Sequence, residues 1–323
     1  MKVPLSYANA VAISAQKNLI PKSRFFSAAE AKTPDEALKL LTSGSFGNGV
    51  EISGVNEYEK LVGEETLKLK EFLDEYSRGN AVKFYCFLKS DFFNCDAAVR
   101  RVLLGVPCSY KEDGFTGAEE IETYVKSEKG DLPAYLKATI KDLRLAAETP
   151  NATGAKLSFV ALRDYYAFAL KLIRNRLIRD LIKTEIDCVN VSAYVRAKNK
   201  DAAEEQFVSG GKIKKEKLAT LLSGDSGKIR DAFLFTPYAD LIETCLKAKS
   251  EKRPLSEFEK IKDDYPLKRL DGRRYEAEGI TPMLLYAAYK LAEIKNFRTV
   301  ISGKLAGAPA EVISGRLRNG YVG

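Results

Sequence analysis

Apolar residues recur at intervals of three and four along almost the whole chain, and strictly alternating runs are scarce, so the pattern predicts a nearly all-helical protein. A start signal stands at Thr33-Pro34-Asp35-Glu36, with Thr33 as cap, Pro34 in the first turn and Glu36 three residues on, opening a short helix to about Leu41. Three longer pairs of arms follow. The first runs Tyr58 to Tyr76, turns at Ser77-Arg78-Gly79-Asn80, and returns as Ala81 to Leu104, where Gly105 and Pro107 stop it. The second pair lies near Leu157 to Ile173 and Asn175 to Lys198, after a break at Thr149-Pro150-Asn151-Ala152-Thr153-Gly154; with no strong breaker between its arms, they run together or bend within Lys171 to Arg176. The third has a shorter arm, Leu255 to Ile261, a charged link through Asp271-Gly272-Arg273-Arg274, and a long helix from Pro282 to Leu305 capped by Thr281. Gly-rich turns at Thr42 to Gly49, Ser209-Gly210-Gly211 and Ser223 to Gly227 punctuate the shorter helices between.

One pattern appears three times on the second arms: an acid followed three positions later by Asn. The copies are Asp91-Phe92-Phe93-Asn94, Asp187-Cys188-Val189-Asn190 and Glu293-Ile294-Lys295-Asn296, the acids being 96 and 106 positions apart. Leu103-Leu104-Gly105-Val106-Pro107 matches Leu305-Ala306-Gly307-Ala308-Pro309 at equal offsets, and Arg100 and Arg196 both stand nine positions after their acids. Such self-similarity predicts tandem helical repeats, at residues 1–107, 108–206 and 207–323, within one body. Repeat folds of this kind usually present surface to partners.

Residues three apart on a helix share a face, so each acid and Asn can engage one neighbouring segment together. Asp91 falls in the apolar series Phe84, Phe87, Leu88, Cys95, Ala98 and Val102, close to where two arms should meet. A carboxylate there needs Arg, Lys or free backbone N–H groups as partners. Arg100, Arg196, Arg298 and Lys304 are the basic candidates. Three readings stand for the pairs: a stabilising network within each repeat, direct contact with a partner, or a solvated face.

Composition narrows the chemistry. The five cysteines are scattered and mostly in apolar runs, as expected for reduced core thiols of a cytosolic protein, and without His or a C-x-x-C pair no metal site is expected. The same lack of His removes the usual nucleophile triads. Gly211-Lys212, Gly227-Lys228 and Gly303-Lys304 lack the earlier glycine and the following Ser or Thr of a phosphate loop, so no nucleotide or other cofactor is expected. The amino terminus shows no signal peptide, and no apolar run approaches the roughly 20 residues of a spanning helix. A formal net charge of +8 favours an anionic neighbour, yet Lys and Arg are interleaved with Asp and Glu as on an ordinary solvated surface. The densest basic run, Lys212 to Lys217, has no aromatic stacking partners among it, so nucleic acid is not an expected partner.

The segment Glu293 to Glu311, with Asn296, Arg298, Gly303-Lys304 and Gly307-Ala308-Pro309, resembles the carboxy-terminal motif of the C subunit of V-type (archaeal/vacuolar-type) ATP synthases, whose eukaryotic counterpart is the vacuolar ATPase d subunit. Tyr7-Ala8-Asn9-Ala10, Leu40 to Gly47 and Phe207-Val208-Ser209-Gly210-Gly211 are similar to other segments of that family, while Val11 and Asp96 stand where its pattern has or implies Arg. The resemblance covers the chain in length and threefold layout. It implies a funnel of three pseudo-equivalent helical repeats, non-catalytic and monomeric within a hetero-oligomeric complex. It also implies a place at the cytoplasmic face of the membrane, seated on the proteolipid ring and receiving the central shaft. A soluble helical-repeat adaptor for protein or RNA is the main alternative, and an enzyme working through Lys and carboxylates a more distant one.

Overall fold

A computed structural model describes residues 3–150, 152–196, 205–214, 216–218, 226–252 and 255–322. The ends of the predicted arm at 197–198, Lys215 in the basic run, Asn151 in the predicted break and 223–225 in one predicted turn lie outside these residues. Among the described residues there are α-helices, three short 3₁₀ turns and no strand. The helices are α1 (Leu5–Ala15), α2 (Lys22–Glu30), α3 (Pro34–Thr42), α4 (Tyr58–Tyr76), α5 (Ala81–Leu104), α6 (Ala118–Ser127) and α7 (Ala134–Ala147). They continue as α8 (Gly154–Leu172), α9 (Arg176–Arg196), α10 (Ser226–Phe233), α11 (Ala239–Ser250), α12 (Ser256–Leu270), α13 (Thr281–Leu305) and α14 (Ala310–Gly315). None is long and apolar enough to cross a membrane.

The chain packs as two compact units, one formed by residues 1–82 with 243–323 and the other by residues 83–242. In the first, α13 is the axis: it packs against α1, α2, α3, α4, α12 and α14. Being covered on nearly every side explains why its buried positions run almost without interruption from Thr281 to Ile294, the exposed polar positions Lys295, Arg298 and Ser302 coming only in its later turns. Phe297 stacks on Phe46 at 4.3 Å in a core shared with Phe25, Leu41, Val62 and Ile313. In the second unit, Phe92 of α5, Tyr135 of α7 and Phe168 of α8 form an aromatic stack, with Tyr135 and Phe168 centred 4.1 Å apart.

Local signals account for several ends. Thr33 Oγ1 accepts from the Glu36 N–H of the first turn at 3.1 Å, and the Glu36 carboxylate accepts from the Lys32 N–H just ahead of the cap. Thr33→Ala should cost about 1 kcal/mol, read as a small drop in melting temperature; an unchanged melt would show that the cap adds nothing to packing. Gly105 and Gly307 end α5 and α13 with φ of +65° and +67°, a left-handed turn that an L side chain resists.

Two predicted ends are corrected, and one left open by the sequence is decided. Thr281 is the first helical residue rather than the cap; its hydroxyl donates to Glu276 Oε2 at 2.6 Å, and Ile280 occupies the cap position. The arm expected to stop at Ile261 continues to Leu270 through Pro266. Burial of Leu267 and Leu270 and the engagement of Asp263 and Asp264 by the C-terminal segment outweigh the breaker signal. The open question of the middle pair resolves into a break at residues 173–175, where Asn175 Oδ1 accepts from the Leu177 and Ile178 N–H groups to cap α9.

Candidate functional site

Each acid–Asn pair lies buried on its long helix and holds backbone from a segment elsewhere in the chain. On α5, Asn94 pairs in both directions with Lys111: its Nδ2 donates to the Lys111 carbonyl at 2.9 Å and its Oδ1 accepts the Lys111 N–H at 2.7 Å. One turn earlier, Asp91 Oδ1 accepts from the N–H groups of Phe115 and Thr116 at 2.7 and 3.1 Å. On α9, Asn190 makes the same two-way pair with Val208, at 2.9 and 2.8 Å, and Asp187 accepts from the Lys212 and Ile213 N–H groups, both at 3.0 Å. On α13, Asn296 pairs with Arg318 at 3.0 and 2.8 Å, and Glu293 Oε1 accepts from the Ile20 N–H at 2.6 Å.

The chemistry is that of a latch. A side-chain amide can replace a neighbouring strand, offering one donor and one acceptor to a single residue, while a carboxylate satisfies two successive N–H groups of a turn. Loops joining helices must find partners for such groups or remain in water, so a buried loop needs a built-in acceptor.

Two glycines make the first two latches possible. A Cβ on Gly114 would fall on Asp91 Oδ1, and one on Gly211 would fall on Asp187 Oδ1, each far inside van der Waals contact. Only a residue without a side chain lets the turn come close enough to donate. Tyrosines complete them: the Tyr238 hydroxyl donates to Asp187 Oδ2 at 2.5 Å, and that of Tyr135 stands 3.5 Å from Asp91 Oδ2. Burial and the neighbouring Asp91 push the Tyr135 phenol up to about 12, keeping it a donor. Burial also raises Asp187 above the usual carboxylate range despite the donors facing it.

The third latch is ionic. Lys290, one turn before Glu293, is buried between Glu65 Oε2 and Glu293 Oε2, the latter at 2.5 Å, with its ammonium 5.2 Å from the centre of the Phe46 ring. Leu88 and Thr184 stand at the matching position before Asp91 and Asp187. Burial opposes charge on all three groups of the triad. Two carboxylates outweigh it for Lys290, whose pKa is raised. Lys290, the Gly47 N–H and Lys68 outweigh it for Glu65, which is held below the usual range. For Glu293 burial prevails, and its pKa is raised.

The basic residues offered by the sequence are used elsewhere. Arg100 forms a two-point pair with Asp96 at 2.8 Å on each arm, and Ser158 and the Gly154 carbonyl complete its shell. Arg298 pairs with Glu59 at 2.8 Å on an exposed surface, where such pairs contribute about 0–1 kcal/mol. Lys304 Nζ donates to the Ala29 carbonyl at 3.3 Å, and Arg196 is exposed at the end of α9. The acids of the first two motifs thus face pairs of backbone N–H groups, which carry no residue-type signature, while Glu293 faces one N–H and the Lys290 ammonium. Lys290, Glu65, Gly114, Gly211, Tyr135 and Tyr238 were not singled out for this role from the sequence. A usable signal existed for the glycines, which follow their acids by 23 and 24 positions, and for Lys290, a cation inside an unbroken apolar run.

Comparison with known proteins places the chain in a family. The model of the ATP synthase (C/AC39) subunit family matches residues 8–316. The C subunit of the V-type sodium ATPase of Enterococcus hirae is 22% identical over 94% of this chain and 94% of its own length. The C subunit of the A-type ATP synthase of Methanocaldococcus jannaschii is 22% identical over 96% of this chain and 85% of its own length.

Proposed function

We propose that this chain, which belongs to the ATP synthase (C/AC39) subunit family, is a non-catalytic coupling subunit that joins the central shaft of a rotary ATPase to its membrane proteolipid ring. The observation that carries this reading is the family match along nearly the whole chain, residues 8–316, with C subunits of a V-type and an A-type enzyme aligned over 94% and 96% of it. In this reading the chain consists of three helical repeats, at residues 1–107, 108–206 and 207–323, arranged as a funnel. The acid–Asn pairs are the internal fastenings between successive repeats, and the chain is a peripheral component at the cytoplasmic face.

The latches suit a torque-bearing role physically. A coupling element loses less work when its joints are stiff, and each joint here combines a two-way amide pair with a buried carboxylate. Such joints resist sliding of one helix past the next.

Removing the protein should separate the machine into parts that still work singly. Membranes lacking it should keep the ring but release the soluble ATPase head; that head should still hydrolyse ATP, while ATP-driven ion transport disappears. Adding back the purified chain should restore transport. Normal pumping without the chain, or failure of the isolated chain to bind either shaft or ring, would defeat the coupling role. Salt-sensitive RNA binding in the absence of membrane association would put a soluble adaptor in its place.

A further inference from the structure

The second latch gathers two segments rather than one. Asp187 Oδ1 accepts the Ile213 N–H and Oδ2 the Lys212 N–H, both at 3.0 Å, while the Tyr238 hydroxyl donates to Oδ2 at 2.5 Å. The loop that begins at Lys212 and the turn that leads to Tyr238 are thereby fixed beside one another. They meet a second time where Lys217 Nζ lies 4.7 Å from the centre of the Phe233 ring.

The turn departs from the usual chemistry of turns. Thr236 donates both its N–H, at 2.9 Å, and its hydroxyl, at 2.7 Å, to the Phe233 carbonyl, closing a four-residue turn with Leu234 and Phe235 at its two central positions. Phe233 is buried at one end and Tyr238 just past the other, so the turn is anchored on both sides. Central turn positions ordinarily carry Gly, Pro, Asn, Asp or Ser. Here they carry two large apolar side chains, Leu234 at 57% exposure and Phe235 at 95%, the most exposed large apolar side chain among the described residues. Holding such side chains in water gains nothing for the fold, which points to a use outside it.

We propose that the Leu234–Phe235 turn enters the headgroup region of an anionic phospholipid bilayer, with Lys214 and Lys217 of the adjoining loop facing the lipid phosphates. The proposal rests on the reading that this chain works at a membrane. Shape favours lipid over a protein partner. A specific protein contact covers about 800 Å² on each side with matched surfaces, whereas a protruding pair of side chains needs only a medium that parts around it. Charge selects the anionic kind. Lys214 and Lys217 are exposed, Lys212 Nζ pairs with Asp180 at 2.7 Å, and from Lys212 to Asp240 the sequence has six basic residues against the four acids Glu216, Asp225, Asp231 and Asp240. With so modest an excess, the apolar pair supplies the hold and the lysines the preference for negative headgroups. Asp187 keeps the two parts in register.

The chain has no Trp, so Phe235→Trp places a single indole at the tip of the turn. On protein-free vesicles of mixed phosphatidylglycerol and phosphatidylcholine its emission should move to shorter wavelength and be quenched by brominated acyl chains; on phosphatidylcholine alone both effects should be slight. Flotation with the mixed vesicles should recover about tenfold less of the variant carrying Leu234→Ser and Phe235→Ser than of the unaltered chain. The variant carrying Lys214→Glu and Lys217→Glu should lose the preference for the mixed vesicles. Both apolar side chains are exposed, so the serine variant should melt with the unaltered protein; if it does not, the indole emission decides. Absence of vesicle binding by the unaltered chain, binding unmoved by the serine substitutions, or equal binding to the two kinds of vesicle would overturn the proposal. So would an emission shift that arises without vesicles as protein concentration rises, which would mean that a second copy covers the turn. Binding to ring and shaft in detergent solution is scored separately. A chain that binds them but no vesicle overturns this proposal alone, and one that enters vesicles but binds neither defeats the coupling role alone.

Discussion

Lys290→Met should melt about 10 °C below the unaltered protein at pH 7, the deficit expected when a buried ion network loses its cation at a cost of about 3–5 kcal/mol. Met fills the space of the aliphatic stem, so packing against Phe46 is largely kept and the charge is what changes. Without the ammonium, Glu65 and Glu293 face one another in a buried site, and neither can stay ionised without penalty. Both carboxyls then titrate higher in the folded than in the unfolded chain. The folded variant binds more protons, so its stability should rise as the pH falls from 7 toward 5. The unaltered protein behaves oppositely at Glu65, whose pKa is held below 4.5: that contribution is complete above about 4.5 and disappears as the pH falls through the lowered folded value. The two melting curves should therefore converge on acidification. A deficit of the same size at pH 5 and pH 7, or none at pH 7, would mean that the triad does not hold the third latch as described.

Gly211→Ala should cost about 3 kcal/mol, with Gly114→Ala close behind, because each new methyl group displaces the carboxylate that its own turn is bonded to. At Asp187 the displaced group loses two backbone donors and the Tyr238 hydroxyl while still buried. Charged hydrogen bonds contribute about 1.5–3 kcal/mol each, and part of the loss is recovered by movement of the turn. Gly54→Ala is the control, since its backbone is extended and nothing lies within 4 Å of the added atom. Thermal melting of the three variants decides the matter. If Gly211→Ala melts with the Gly54 control, the close approach of turn and carboxylate has been misjudged.

The helices were largely legible in the sequence because their signals are local. The first long pair was bounded by Gly105 and by the turn at residues 77–80, and Thr33 announced α3 through a contact that spans three residues. The third pair shows the limit of this: its shorter arm was expected to end at Ile261, but Asp263 and Asp264 find partners in Lys295, Arg318 and Asn319, and α12 runs on to Leu270.

The acid–Asn motif was legible as a recurrence, and the family resemblance followed from its third copy. What the motif grips was not. Backbone N–H groups are the same at every residue, so nothing in the letters marks Phe115, Ile213 or Arg318 as the segments to be held. Arg100 and Arg298 were conspicuous candidates because charge is visible in a sequence, yet each had an acid nearer to hand in Asp96 and Glu59.

By itself, then, the chain determined where most of the long helices run, which of their positions are apolar, and that one polar pair returns at three places, since each depends on neighbours within a turn or two of helix. The tertiary structure alone decided that Lys290 meets Glu65 and that Ile20 and Arg318 come to the same helix. Pairings between distant residues follow from how apolar faces pack. Once that packing excludes water, each buried polar group must accept the partner that packing brings to it.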